Sequence, residues 1–169
     1  SFSLVLQKER NIGLTDAWFY VKYQAQAYSM RQWIVHQLTY LYTQGHVIIG
    51  YGAAAKGMVL LHSLLEMPDQ LWRFSYIIDD APLKQNTYCP GTSIPVRPSS
   101  ELSKHNPVQS LTVVVFAWNF WDEILSKIQE KTFEKGIKNV FAIRPFPHQQ
   151  LIKIHSNSSF IISQNAFRL

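Results

Sequence analysis

Val47-Ile48-Ile49-Gly50 is an apolar, β-branched run that ends in glycine, and Gly50-Tyr51-Gly52-Ala53-Ala54-Ala55 leads from it directly into a helix-forming segment. A G-x-G-x-x-A stretch between a strand and a helix leaves few folds open. Small residues there let the backbone turn tightly, let a phosphate approach the amides, and let the helix pack closely on the strand. The helix N-terminus then offers unpaired N–H groups and a partial positive charge, to which Lys56 in the first turn adds a full one. The same residues also suit a tight strand-to-helix turn that binds nothing, with Lys56 solvated.

The rest of the chain repeats this rhythm. A strand is expected over 2–7, followed by a long helical region capped by Thr15-Asp16. Its apolar residues Trp18, Val21, Ala25, Tyr28, Ile34, Leu38 and Leu41 recur every three or four positions, with Ser29 as a break and Gly45 as the stop. After the strand at 47–50 come a helix over 53–65 closed by Pro68, a strand over 74–78, an irregular stretch over 79–97 and a short helix at 99–104. A strand over 111–117, a helix over 121–135 and a strand over 139–143 follow. Strands alternating with helices imply parallel pairing through right-handed crossovers. The expected fold is α/β: a single Rossmann-like domain with a doubly wound, mostly parallel sheet. Residues 1–46 form an N-terminal strand and helical region, 47–147 the core, and 148–169 an extension whose patch Phe160-Ile161-Ile162 adds a strand or packs on the surface.

Length agrees, since 169 residues supply one well-buried core and not two ordinary ones. The formal charge of +5 raises the question of nucleic acid, but Lys127, Lys131, Lys135 and Lys138 alternate with Glu123, Glu130 and Glu134, as on a solvated helix face. No nucleic-acid partner is expected. The apolar stretches 58–65 and 113–118 are too short to span a membrane, and no secretory leader is recognisable, so a cytoplasmic location is expected. Cys89 is the only cysteine, which excludes an internal disulfide and a multi-cysteine zinc site. His36, His46, His62, His105, His148 and His155 have no acidic or cysteine neighbours at metal-ligand spacing and are expected mostly at the surface or on helix faces. No metal site is expected, and the Asn157-Ser158-Ser159 triplet matters only in a secreted chain.

Ligands of open parallel sheets bind beyond the carboxyl ends of the strands, where strand order reverses. The residues just past those ends are Gly50-Tyr51-Gly52, Asp79-Asp80, Trp118-Asn119 and Arg144-Pro145. Asp79 suits a ribose hydroxyl, although Asp79-Asp80 before Ala81-Pro82 is an equally good turn. Trp118 offers a ring for a base or sugar, whereas Asp122 and Glu123 are ordinary first-turn acids. The stretch 84–96 is long and rich in turn residues; it is expected to fold over the rim and bring Lys84 and Tyr88 to a ligand or a neighbouring domain, the alternative being a loop packed on its own sheet. The candidate binding residues are therefore Gly50, Tyr51, Gly52, Ala53, Lys56, Asp79, Lys84, Tyr88, Trp118 and Asn119, on a single rim and for a nucleotide-type small molecule. No residue is nominated as catalytic.

Several segments, taken in order, carry a resemblance to a known family. Ile49-Gly50-Tyr51-Gly52-Ala53-Ala54-Ala55-Lys56-Gly57 begins it, and Tyr76-Ile77-Ile78-Asp79-Asp80-Ala81-Pro82-Leu83-Lys84-Gln85 resembles that family's D-x-N-P-x-K-Q segment. Tyr88-Cys89-Pro90-Gly91-Thr92-Ser93-Ile94-Pro95-Val96 is similar to its P-G-T-x-I-P-I, and Ala117-Trp118-Asn119-Phe120-Trp121-Asp122-Glu123-Ile124 to its W-N-F-x-x-E-I. The strand at 139–143 falls in the matching place. The chain thus resembles the C-terminal domain of S-adenosylmethionine-dependent C-methyltransferases that act on nucleotide-linked sugars. In such enzymes a zinc-binding N-terminal region and a middle domain with the methyl donor and catalytic residues accompany this domain. The resemblance implies a substrate-side domain that faces a nucleotide sugar and pairs with a methyltransferase catalytic domain. It also implies that the domain is not catalytic alone and binds no cofactor itself, S-adenosylmethionine being held in the separate domain. Two other readings stand beside it. An NAD(P)-binding oxidoreductase-like domain fits G-x-G-x-x-A and Asp79 but lacks a Tyr-x-x-x-Lys grouping, and a structural or dimerisation module needs no ligand at all.

Overall fold

The computed structural model describes residues 2–14, 16–68, 70–155 and 159–165. Seven strands lie among the described residues: β1 (His46–Tyr51), β2 (Phe74–Ile78), β3 (Val96–Arg97), β4 (Ser110–Val115), β5 (Asn139–Arg144), β6 (Gln149–Ile154) and β7 (Ser159–Asn165). They form one sheet in the order β3-β2-β1-β4-β5-β6-β7. The first five run parallel, and β6 and β7 add antiparallel to β5. Strand order reverses between β1 and β4, which are adjacent in the sheet although β2 and β3 lie between them in the chain. Their carboxyl ends, at Tyr51 and Val115, are therefore the switch point of a doubly wound α/β fold.

Alternation along the parallel strands divides the core. Ile48 and Val114 face α2 (Ala17–Thr43) and α3 (Ala55–Leu65), where Ile34, Leu38, Leu61 and Leu64 are fully or almost fully buried. Ile49, Val113 and Val115 face the other way, toward Ile124 and Ile128 of α4 (Trp121–Phe133) and Leu102 of a 3-10 helix at Ser99–Lys104. Both faces of the central strands are covered, which is why their sequences are continuously apolar rather than alternating.

The N-terminal segment differs from the sequence reading. Residues 2–7 belong to a helix, α1 (Phe2–Asn11), and not to a strand. Leu4 and Val5 are more than half exposed, so no sheet face buries the apolar residues of the segment, and its helix-forming Leu, Gln, Lys, Glu and Arg prevail. Ser29 does not break α2, which runs 27 residues without interruption; a lone serine is only a weak helix breaker. Asp16 stands at its N-cap without a side-chain cap bond, and Thr15 lies outside the described residues, as do Asn157 and Ser158. Met30 is the first buried residue of α2, so the outer half of the helix stands off the sheet. The tail supplies two strands where the sequence suggested at most one, because Gln149-Gln150-Leu151-Ile152-Lys153-Ile154 pairs along β5. No described helix is long and apolar enough to cross a membrane.

At the amino ends of the strands, His46 is buried on β1, contrary to the expected surface placement of the histidines. Its Nδ1 pairs with Thr112 Oγ1 at 2.9 Å, and Asn139 Nδ2 donates to Nε2 at 3.3 Å while also donating to Ser110 Oγ at 2.7 Å. With Nε2 accepting, the ring is neutral, and a proton on Nε2 would face the amide hydrogens of Asn139. Burial lowers the His46 pKa from its ordinary value; a hydrogen bond with the Leu111 backbone opposes this, and the Lys153 charge reinforces it.

Folding stability should follow that shift. The unfolded chain titrates His46 near pH 6.5 and the folded protein below it, so the unfolded state binds more protons between the two values. The contribution is complete above about pH 6.5 and is lost as pH falls through the folded value. Urea titrations at about pH 7.5 and about pH 5.5 should show the midpoint dropping in acid, with a smaller drop in His46→Gln. Equal drops in both proteins would show that His46 is not the titrating group.

Candidate functional site

At the carboxyl end of β1 the chain turns through Gly52 at φ +101°, a conformation that side-chain-bearing residues rarely adopt. Space is as limiting as angle, since a Cβ at Gly52 would lie 2.5 Å from Ala117 Cβ and 2.8 Å from the Ala117 backbone nitrogen. One turn into α3, a Cβ at Gly57 would lie 2.7 Å from Phe116 Cβ. The small residues of the motif thus bring α3 hard against the end of β4.

One amide of this turn, that of Ala53, already holds an anion, supplied by the protein. Asp79, at the end of β2 and 8% exposed, accepts a hydrogen bond from the Ala53 N–H at Oδ2 (2.8 Å) and one from the Ala81 N–H at Oδ1 (2.9 Å). Lys84 Nζ lies 3.0 Å from the same Oδ2. One carboxylate therefore joins the glycine turn, the end of β2 and the 3-10 helix Pro82–Lys84. A diphosphate approaching Ala53 would have to displace Asp79 and would meet its charge.

The adjoining crevice, about 320 Å³, is lined by Tyr51, Asp79, Asp80, Lys84, Glu123 and Lys127 among others. Tyr51 donates to Asp80 Oδ2 (2.8 Å), and Lys127 of α4 reaches the same oxygen (3.0 Å) and Glu123 Oε1 (2.9 Å). Burial, then the hydrogen bond to Asp80 and its charge, pushes the Tyr51 phenol up, so it stays protonated. Burial alone would raise the Asp80 carboxyl, but hydrogen bonds from Lys127, Tyr51 and Ser99 outweigh it and hold the group below its usual value. Three carboxylates face two lysines here, and each lysine is already in an ion pair.

A second and larger hollow, about 720 Å³, lies between the outer half of α2 and the first turns of α3. Its walls include Tyr23, Tyr28 and Arg31 from α2, Lys56 and Val59 from α3, and Trp118 and Phe146. The rings of Trp118 and Phe146 are 5.0 Å apart. Arg31 and Lys56 are its charged residues, no carboxylate lines it, and neither cation has an ion pair among the described residues. The Arg31 guanidinium lies 5.8 Å from the Tyr28 ring centre, and its buried Nε has no hydrogen-bond partner among the described residues.

The expected single rim is thus divided. Tyr51, Gly52, Asp79 and Lys84 line the crevice, Lys56 and Trp118 line the groove and, with Asn119, a smaller hollow of about 300 Å³ at the start of α3, and Ala53 donates its amide to Asp79. Gly50 is buried, with Ile77 and Phe116 where a Cβ would go. Asn119 is exposed beside Trp118. Tyr88 borders neither hollow: the 84–96 stretch bonds largely to itself, through Cys89 N–H to Ile94 O, Val96 N–H to Thr87 O and a Tyr88–Pro95 bridge, at the β2 edge of the sheet. Sequence reasoning missed Arg31, Tyr23 and Tyr28, because nothing local links that part of α2 to residues at 56 and 118. Among the described residues no group of three or more His, Cys, Asp and Glu is placed to hold a metal ion.

A family model for the C-methyltransferase C-terminal domain matches residues 1–144. This chain belongs to the C-methyltransferase C-terminal domain family. The matched region takes in α1, α2, the crevice and the lining of the groove except Phe146, and stops at the end of β5, so the β6–β7 hairpin lies beyond it. The C-methyltransferase NovU of Streptomyces niveus is 29% identical over 153 residues, covering 90% of this chain and 34% of that protein. This C-methyltransferase C-terminal domain therefore spans about a third of its relative's length.

Two substitutions test the turn. Gly52→Ala should lower unfolding stability by about 3 kcal/mol, from overpacking plus an unfavourable φ. Asp79→Ala, which strips two amides and a lysine of their acceptor, should cost about the same, whereas the partly exposed Lys84→Ala should cost less than about 1 kcal/mol. Urea unfolding checks all three. Loss of less than about 1 kcal/mol in Asp79→Ala would show that the carboxylate does not organise the turn.

Proposed function

We propose that this domain forms the substrate side of a C-methyltransferase: it presents one wall of a site for a nucleotide sugar and does not transfer a methyl group by itself. The observation that carries the reading is the state of the carboxylates at the sheet rim. Abstraction of a proton from a carbon acceptor needs a base that is free and of suitable pKa. Asp79 is occupied by two amides and Lys84, and Asp80, held below its usual pKa by Lys127, Tyr51 and Ser99, is a weaker base than an ordinary carboxylate. On this reading the two carboxylates hold the shape of the rim, and neither is poised for proton transfer.

The methyl donor of such enzymes, S-adenosylmethionine, supplies the electrophilic methyl group when bound. The residues here do not fit it at the glycine turn. A donor site of that type needs an open glycine turn and an acid free for ribose hydroxyls, and in this chain the acid is spent on the turn itself. We therefore place the donor and the catalytic residues in a separate methyltransferase domain, the partner of this one. NovU, named as a C-methyltransferase and about three times as long as the aligned segment, has length enough for such a domain.

Isothermal titration distinguishes the readings. The isolated chain should give no measurable heat with S-adenosylmethionine or with nicotinamide cofactors, and a weak but saturable signal with nucleoside-diphosphate sugars. Tight S-adenosylmethionine binding would place the donor here and overturn the proposal; a response to nicotinamide cofactors alone would favour an oxidoreductase-like domain.

A further inference from the structure

The geometry points to the α2–α3 groove, and not the glycine-turn crevice, as the place where this domain takes the nucleoside diphosphate part of its ligand. This inference rests on the substrate-side reading above and assigns the ligand to one of the two hollows. Charge separates them first. The crevice holds Asp79, Asp80 and Glu123 against Lys84 and Lys127, all tied to one another, so an incoming diphosphate would meet a net negative lining and no free cation. The groove holds Arg31 and Lys56 with no carboxylate, so its unpaired charge is positive. Guanidinium and ammonium groups without partners are the natural contacts for phosphate oxygens.

Shape and surface agree. A volume of about 720 Å³ lies within the range that suits small-molecule sites, and the walls are mostly apolar and aromatic. Tyr23 and Tyr28 on one side and Trp118 with Phe146 at the end provide flat faces for a base. The buried Arg31 Nε, which has no acceptor among the described residues, is a second and independent sign, because a buried donor left without a partner is costly. A phosphate oxygen would satisfy it. Asp79 meanwhile accounts for the unused glycine turn: the anion such a turn offers to bind is built into the chain.

Uridine diphosphate, adenosine diphosphate and UDP-glucose, titrated into the whole chain while tryptophan fluorescence and heat are recorded, test the assignment. Wild type should bind at least one of them. Lys56→Gln and Arg31→Gln should each weaken binding about tenfold, the loss of one charged contact, whereas Lys56→Arg should stay within about threefold because it keeps the charge. Lys127→Gln, in the crevice, should leave the affinity unchanged. Thermal midpoints of the variants, read in parallel, separate lost contacts from lost folding, and Lys56→Arg against Lys56→Gln at an exposed position keeps the comparison valid if Arg31→Gln fails to fold. Binding that survives Lys56→Gln and Arg31→Gln but fails in Lys127→Gln would move the nucleotide to the crevice, overturning this inference while leaving the substrate-side reading intact. Absence of binding by all three nucleotides would overturn the reading itself.

Discussion

The Asp79 carboxylate on the Ala53 and Ala81 amides is the contact on which the site region depends. Hydrogen bonds to a charged group contribute about 1.5–3 kcal/mol each when they are not exposed to water, and this carboxylate makes two of them plus an ion pair. The consequences run in both directions along the chain. Toward the N-terminus the bond fixes the strained Gly52 turn, which aims α3 and therefore Lys56. Toward the C-terminus it fixes the first 3-10 helix and the path of the chain back to β3. The motif G-x-G-x-x-A has kept the close packing that glycine and alanine permit, and its anion site is filled from within.

That internal anion is the reason the proposed ligand surface is assigned to the groove and not to the glycine turn. The groove exists because α2 is longer than the sheet can cover. Its inner half is buried from Met30 onward, whereas Trp18, Tyr20, Tyr23 and Tyr28 of the outer half remain mostly exposed. An overhanging helix of this kind supplies a wall with no covering layer, and the α3 residues opposite it supply the charge. A helix half that buries nothing in its own domain also provides apolar surface for a neighbouring domain. The groove thus lies next to the surface where the second wall of a shared site would come.

Much of the fold was legible in the sequence because the central strands are buried on both faces. Runs such as Val47-Ile48-Ile49 and Val113-Val114-Val115 are apolar without alternation, and only a sheet covered by helices on both sides explains several of them in one chain. The N-terminal strand was misread because Phe2 to Gln7 holds an apolar run, Leu4-Val5-Leu6, that a strand can also carry, while the fact that decides the matter, that these residues meet no sheet face, is tertiary. β6 was missed for the opposite reason: two glutamines and a lysine obscure a strand whose partner, β5, sits far from it in character. For the site, the residue types were legible and their grouping was not. Ala53 and Lys56 are three residues apart, yet one points its amide at Asp79 and the other lines the groove beside α2, so a rim that looks continuous in sequence is divided, with a crevice and a groove of opposite charge on either side of the turn.

Membership of the C-methyltransferase C-terminal domain family sets the biological frame, and the internal anion is the feature on which the proposed assignment of the ligand rests. The most direct measurement is the amide spectrum of the isotopically labelled chain during titration with a nucleoside-diphosphate sugar. On this account the resonances of Lys56, Arg31 and the Trp118 indole move with ligand, and the Ala53 amide, already bonded to Asp79, stays where it is. A shift of the Ala53 amide that saturates with ligand, while Lys56 and Arg31 remain unmoved, would show that the glycine turn binds the phosphate after all and would contradict the account.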